Sequence, residues 1–151
     1  MTAEIDGSRD EPVIVMTHVL EAPRALVWTA FTTPEHVVNW YGGKGFENPV
    51  CEMDVRPGGR WRHVMRTPDG HEQHLEFVFV EVVKPERIVI EHVSGPRFRL
   101  TITLTAEAGR TRLTWRQRFP TAADCDRIKA LAIPANEQNL DRLEARLAQM
   151  A

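Results

Sequence analysis

Cysteine, serine, long apolar runs and net charge are all scarce in this chain of 151 residues, and each scarcity removes a class of function. The two cysteines, Cys51 and Cys125, lie far apart and match no metal-ligand or redox spacing, so they read as buried free thiols. The two serines, Ser8 and Ser94, sit in no nucleophile elbow, which sets covalent hydrolase chemistry aside. No run approaches the ~20 apolar residues that a membrane span requires. A net charge of −2 gives no bulk reason to expect nucleic acid or a membrane surface as partner. The first dozen residues carry Glu4, Asp6, Asp10 and Glu11 but neither a basic nor an apolar leader segment. A secretory signal is therefore not expected, and the cytoplasm is the default compartment.

What is present is ordinary for a globular domain: 42% hydrophobic and 26% charged residues, enough to bury a core. Residues 1–12 hold too few apolar side chains to anchor themselves and are predicted to be a mobile tail. A single domain is predicted over residues 13–151. Its most strongly patterned stretch is the last, from Thr121. There Ile128, Leu131, Ile133, Leu140, Leu143, Leu147 and Met150 recur at helical spacing, with charged residues between them. Such a helix needs a partner surface to bury its stripe.

The preceding chain offers that surface. Val13 to Leu20 is β-branched and apolar and reads as a strand. Pro23 and Pro34 each open a short helix, where a missing N–H costs nothing. The helices run over Arg24–Thr32 and on to Trp40. Three glycines between Gly42 and Gly45 demand a loop, read here as a flexible rim. From Phe46 the period changes to two. Trp61, His63 and Met65 alternate with arginines, and Leu75, Phe77 and Phe79 oppose His74 and Glu76. Ile88, Ile90 and His92 share a face, as do Phe98, Leu100, Ile102 and Leu104, and then Leu113, Trp115, Gln117 and Phe119. Pro57-Gly58-Gly59, Pro68-Asp69-Gly70, Ser94-Gly95-Pro96 and Gly109 mark the turns of an antiparallel meander. The order is strand, helix, helix, six strands, long helix: an α+β fold whose curved sheet of six to seven strands wraps the C-terminal helix.

In that order, particular residues match a known pattern. They are Leu20-Glu21-Ala22-Pro23 leading to Trp28, Thr33-Pro34-Glu35 leading to Trp40, and Asn48-Pro49 through Arg56-Pro57-Gly58-Gly59. Val82-Val83-Lys84-Pro85-Glu86-Arg87 and Asn139-Leu140-Asp141-Arg142-Leu143 complete it. Over roughly Val13 to Leu147 the chain resembles the START-like (Bet v 1-like, SRPBCC) superfamily, in the branch related to the C-terminal domain of the Hsp90 ATPase activator. The resemblance implies the helix-grip fold, with a cavity between concave sheet and last helix. The superfamily includes lipid carriers, polyketide cyclases and co-chaperone domains, so fold alone does not choose among them. Many relatives have Gly-Trp in the middle of the last helix, where this chain reads Pro134-Ala135-Asn136. An amide in place of an indole implies a roomier, more polar cavity, and Pro134 is expected to kink the helix.

The expected ligand site takes its wall from Trp40, Trp61, His63, Met65, Phe77 and Phe79, continued by His92, Phe98, Trp115 and Gln117. The helix adds Ala135, Asn136 and Asn139. His63, His92 and Gln117 are the polar exceptions on an apolar face. They could orient a ligand, satisfy one another within the core, or move protons as a cyclase or dehydratase would require. His71-Glu72-Gln73-His74 lacks a metal spacing, since residues three apart on a strand face opposite ways. Gly42-Gly43-Lys44-Gly45 lacks the phosphate-loop pattern. Arg60, Arg62, Arg99, Arg112, Arg116 and Arg118 fall on the outer face. That face is either a dimer or anionic-partner surface, or a solvated face where they pair with acids such as Glu76 and Glu52. The reading is a domain that binds a small, mostly hydrophobic molecule without metal or organic cofactor, and more a binding domain than an enzyme. A chaperone-associated interaction module, as the resemblance implies, is the alternative.

Overall fold

The computed structural model describes residues 2–5, 12–42 and 45–150. Seven strands follow the expected order: β2 (Val13–Leu20), then β3 (Glu47–Met53), β4 (Arg60–Arg66), β5 (Glu72–Val83), β6 (Arg87–His92), β7 (Phe98–Glu107) and β8 (Arg110–Arg118). Helices α1 (Arg24–Thr32) and α2 (Pro34–Trp40) separate β2 from β3, and α3 (Ala122–Met150) closes the chain.

An eighth strand, β1 (Thr2–Ile5), corrects the expectation of a mobile tail over residues 1–12 for those four residues. It pairs antiparallel with β2, Thr2 opposite Thr17 and Ile5 opposite Ile14. The pairing is made by main-chain groups on a free sheet edge, which side-chain composition does not report. Met1 and residues 6–11 lie outside the described residues.

The sheet order is β1-β2-β8-β7-β6-β5-β4-β3, so the meander from β3 to β8 is completed by β2 against β8. Register shifts in β3, between Glu47 and Val50, and in β5, between Phe79 and Glu81, insert the bulges that bend a sheet around a helix. The β3–β4 turn is fastened to β5: Gly58 donates to the Phe79 carbonyl at 2.7 Å, and Phe79 donates to the Gly59 carbonyl at 2.9 Å. A Cβ on Gly59 would stand 1.9 Å from the Asp54 carbonyl oxygen, so only glycine fits there.

The outer face is solvated by cross-strand ion pairs. Arg60 meets Glu76 at 3.0 Å, Arg66 meets Glu72 at 3.0 Å, and Arg62 meets Glu52. Arg99 pairs with Glu91 at 3.3 Å, and Arg112 with Glu107. Exposed pairs of this kind contribute little individually; their role is to satisfy charge on a wet face.

Thr121 caps α3, its hydroxyl accepting the Asp124 N–H at 3.1 Å. The helix then runs unbroken past Pro134. Its two halves are held very differently. In the C-terminal half Leu140, Leu143 and Leu147 are buried, each contributing ~1.5–3 kcal/mol of apolar burial. α3 packs on α1, α2 and β2, and Arg142, Glu144 and Arg146 of this half bond to Asn39, His18 and His36. In residues 122–135 only Cys125 is fully buried, and Leu131 is 78% exposed. The grip is therefore tight at one end of the sheet and open at the other.

Candidate functional site

The open end holds a cavity of about 570 Å³ between the sheet and α3. Its floor is Met65 of β4, Gln73, Leu75 and Phe77 of β5, His92 of β6, Phe98 of β7 and Gln117 of β8. Its roof is α3 from Ile128 to Asn139, with Ala135, Asn136 and Asn139 among the lining residues. Tyr41, Gly42 and Phe46 form the rim.

Three floor rings pack on one another. His92 stacks on Phe98 at 4.9 Å between centroids, Phe77 lies 5.1 Å from His92, and Phe77 meets Phe98 edge-on at 6.3 Å. The loop after β6 wraps the imidazole: a Cβ on Gly95 would come 3.1 Å from His92 Cε1. His92 Nδ1 donates to the Pro96 carbonyl at 2.8 Å. Nε2 lies 3.3 Å from the Ser94 hydroxyl, which accepts the Glu76 N–H at 2.9 Å and also reaches the His74 carbonyl at 3.4 Å. Both nitrogens are engaged by protein, so the ring offers the cavity its carbon surface.

The polar point of the cavity is an amide pair. Asn136 Nδ2 donates to Gln117 Oε1 at 3.1 Å, helix to sheet, with both residues buried. Asn139 is committed differently, its Oδ1 accepting the Gly42 N–H at 2.7 Å. The Arg142 guanidinium donates to the Gly42 carbonyl at 2.7 Å and the Asn39 carbonyl at 3.1 Å. Gly42 has φ +98°. The first described part of the glycine loop is thus a fastened rim, with both backbone groups of Gly42 held by α3. Gly43 and Lys44 lie outside the described residues.

Five residues expected on the site wall are placed elsewhere. Trp40 is buried between the helices, its indole N–H donating to the Ala30 carbonyl at 2.9 Å and its ring 4.9 Å from Phe31. Trp61 and His63 form a closed polar group beneath Tyr41. The Trp61 indole donates to His63 Nδ1 at 3.2 Å, and His63 Nε2 donates to Asn48 Oδ1 at 2.6 Å. Asn48 in turn donates to the Val38 and Tyr41 carbonyls at 2.8 and 2.9 Å. Burial pushes the His63 imidazole down to about 4 and the Tyr41 phenol up to about 12. Phe79 stacks at 6.4 Å from Trp61, deeper in the core. Trp115 is buried there too, and its indole N–H is the one buried side-chain polar atom among the described residues without a protein partner. Trp61, His63, Phe79 and Trp115 share the inward face of the sheet, where other side chains cover them.

Sequence reasoning passed over Gln73, Gln138, Phe46 and Leu131 as lining residues. Gln73 has the same strand parity as Leu75 and Phe77, so alternation alone would have found it. His71 and His74 are exposed. Among the described residues no three His, Cys, Asp or Glu side chains are grouped to hold a metal ion, and no helix is long and apolar enough to cross a membrane.

A bent antiparallel sheet gripping one long C-terminal helix, with a cavity at the loose end, defines a START-like helix-grip domain. The profile of the activator of Hsp90 ATPase homolog 1-like proteins matches residues 21–148, and the chain belongs to that family. Solved structures agree on the fold. A Nitrosomonas europaea protein superposes with a TM-score of 0.87 at 23% identity, over 92% of this chain and 96% of that one. A Rhodobacter sphaeroides protein gives 0.88 at 22% identity over 98% of both chains. A Chromobacterium violaceum protein gives 0.77 at 27% identity, over 88% and 95%. No functionally curated protein matches.

Proposed function

We propose that this chain binds a small, mostly hydrophobic molecule in the cavity between the sheet and α3. The supporting observation is the cavity itself. At about 570 Å³ it lies within the ~300–1,000 Å³ usual for small-molecule sites, and aromatic and aliphatic groups line it together with amides, of which Asn136 and Gln117 are the buried pair bonded from helix to sheet. Phe77, Phe98, Met65 and Leu75 would supply the apolar contact and Asn136 with Gln117 the orientation. A cyclase- or dehydratase-like reaction would need an imidazole nitrogen facing the ligand, and those of His63 and His92 are all hydrogen-bonded to protein.

The test is titration with N-phenyl-naphthylamine, an uncharged aromatic dye that brightens in apolar surroundings. Saturable binding at one dye per chain is expected; absence of saturation over the dye's soluble range would overturn the reading. Family membership supports a second reading, an interaction module for an Hsp90-type chaperone. It predicts that adding this protein changes such a chaperone's ATPase rate, and an unchanged rate counts against it.

A further inference from the structure

We infer that the ligand is an electrically neutral aromatic molecule carrying one group that both donates and accepts a hydrogen bond, seated on the Asn136–Gln117 pair. This rests on the cavity-binding reading and names the chemistry of its occupant.

The argument begins with the two carboxamides. Together they hold two NH2 groups and two carbonyl oxygens, and the bond between them uses one NH2 and one carbonyl. Whichever way each amide is flipped, one NH2 and one carbonyl remain. Among the described residues neither remaining group has a protein partner, yet neither is sealed in, because the Trp115 indole is the only buried and unpartnered side-chain N or O atom there. Both remaining groups therefore open onto the cavity that the two residues line. A donor beside an acceptor is matched by a hydroxyl or an amide edge. An ether supplies only an acceptor, and a plain hydrocarbon leaves both protein groups unsatisfied, which carries its own cost.

Charge points the same way. The described lining residues include no Lys, Arg, Asp or Glu. A carboxylate brought against Asn136 and Gln117, which are 8% and 6% exposed, would be desolvated with no counter-charge beside it. The preference for rings comes from the floor, where Phe77, His92 and Phe98 already pack face and edge. A flat ligand extends that arrangement with little side-chain entropy to lose.

The experiment displaces bound N-phenyl-naphthylamine with naphthol, its methyl ether, naphthalene and naphthoate, at neutral pH where naphthol is uncharged. Naphthol is expected to compete best, about five- to tenfold ahead of the ether and naphthalene, the worth of a net hydrogen bond. Naphthoate should be weakest of the four. The Asn136→Leu, Gln117→Leu double variant should bring naphthol down to the level of naphthalene, with circular dichroism reporting whether the variant is folded. If the variant fails to fold, the ranking in the unaltered protein decides. Naphthoate equal to or better than naphthol overturns the inference while leaving the binding reading in place. Naphthol no better than naphthalene does the same. Absence of any dye binding overturns both.

Discussion

Asn139 Oδ1 accepts the Gly42 N–H at 2.7 Å, tying the middle of α3 to the loop after α2. An acceptor is required there, since a buried backbone donor without one costs ~1–3 kcal/mol. Asn139→Ala should therefore lose about that much stability in urea denaturation, and Asn139→Asp, which keeps an acceptor oxygen, should lose distinctly less. Equal losses would mean that the side chain acts only by filling space.

Gly42 itself gives a second handle on the rim. At φ +98° an alanine is strained, and its Cβ would also stand 3.2 Å from Phe46 Cβ and 3.4 Å from the Met65 sulfur. Gly42→Ala is expected to destabilise by ~1–2 kcal/mol and to weaken dye binding, because the displaced groups line the cavity. Lost stability with unchanged dye affinity would detach the rim from the site.

How far the sequence discloses this molecule follows from what periodicity measures. Alternation assigns side chains to a face, and on that test Trp61, His63, Phe77, Phe79, His92, Trp115 and Gln117 all face inward, as the fold has them. Alternation does not say what lies opposite. Phe77 and Gln117 meet the loose half of α3 and line a cavity, whereas Trp61 and His63 lie beneath Tyr41. That division depends on where α1, α2 and the buried end of α3 come to rest, a long-range property no local pattern encodes. The pairing of Thr2–Ile5 was invisible for a related reason, being made by backbone. Asn136 was legible because it departs from the pattern the chain otherwise resembles.

His63 makes stability depend on pH. Its imidazole titrates at about 4 in the folded protein, below its ordinary 6.5, because burial disfavours the charged form. Between those values the unfolded chain binds the extra proton, so stability rises with pH through the window and is lost as pH falls from about 6.5 towards about 4. Between pH 7 and pH 5 this one group should remove on the order of 2 kcal/mol. His63→Gln, which can still donate to Asn48, should be less stable at pH 7 but have a shallower slope. Parallel urea midpoints for the two proteins across that range would contradict the assignment.

The inward and outward faces can be separated by mutation. Leu143→Ala removes a buried side chain beneath the gripping helix and should cost ~2–5 kcal/mol. Arg60→Ala, on the outer face beside Glu76, should change the denaturation midpoint little. The reverse order would mean a sheet register wrong by one residue.

The last prediction concerns the residue that gives the cavity its size and its polarity. Asn136 stands where many relatives of this family carry an indole, and its side chain spans from α3 to Gln117 on β8. Replacing it with tryptophan puts a large ring into a space of about 570 Å³ that opens to solvent at the loose end of the helix. That end has few buried neighbours to clash with, so Asn136→Trp should fold. The loss of Gln117's partner is offset by apolar surface newly buried against Phe77 and Phe98. Its thermal midpoint should lie within a few degrees of the parent. The added ring competes for the volume a two-ring ligand needs, and N-phenyl-naphthylamine affinity should fall by about tenfold or more. Asn136→Leu separates size from polarity: it removes the amide without filling the cavity, and should keep the dye while losing the preference for naphthol. A tryptophan variant that bound the dye as tightly as the parent would place the ligand away from the middle of α3, against the sheet wall alone.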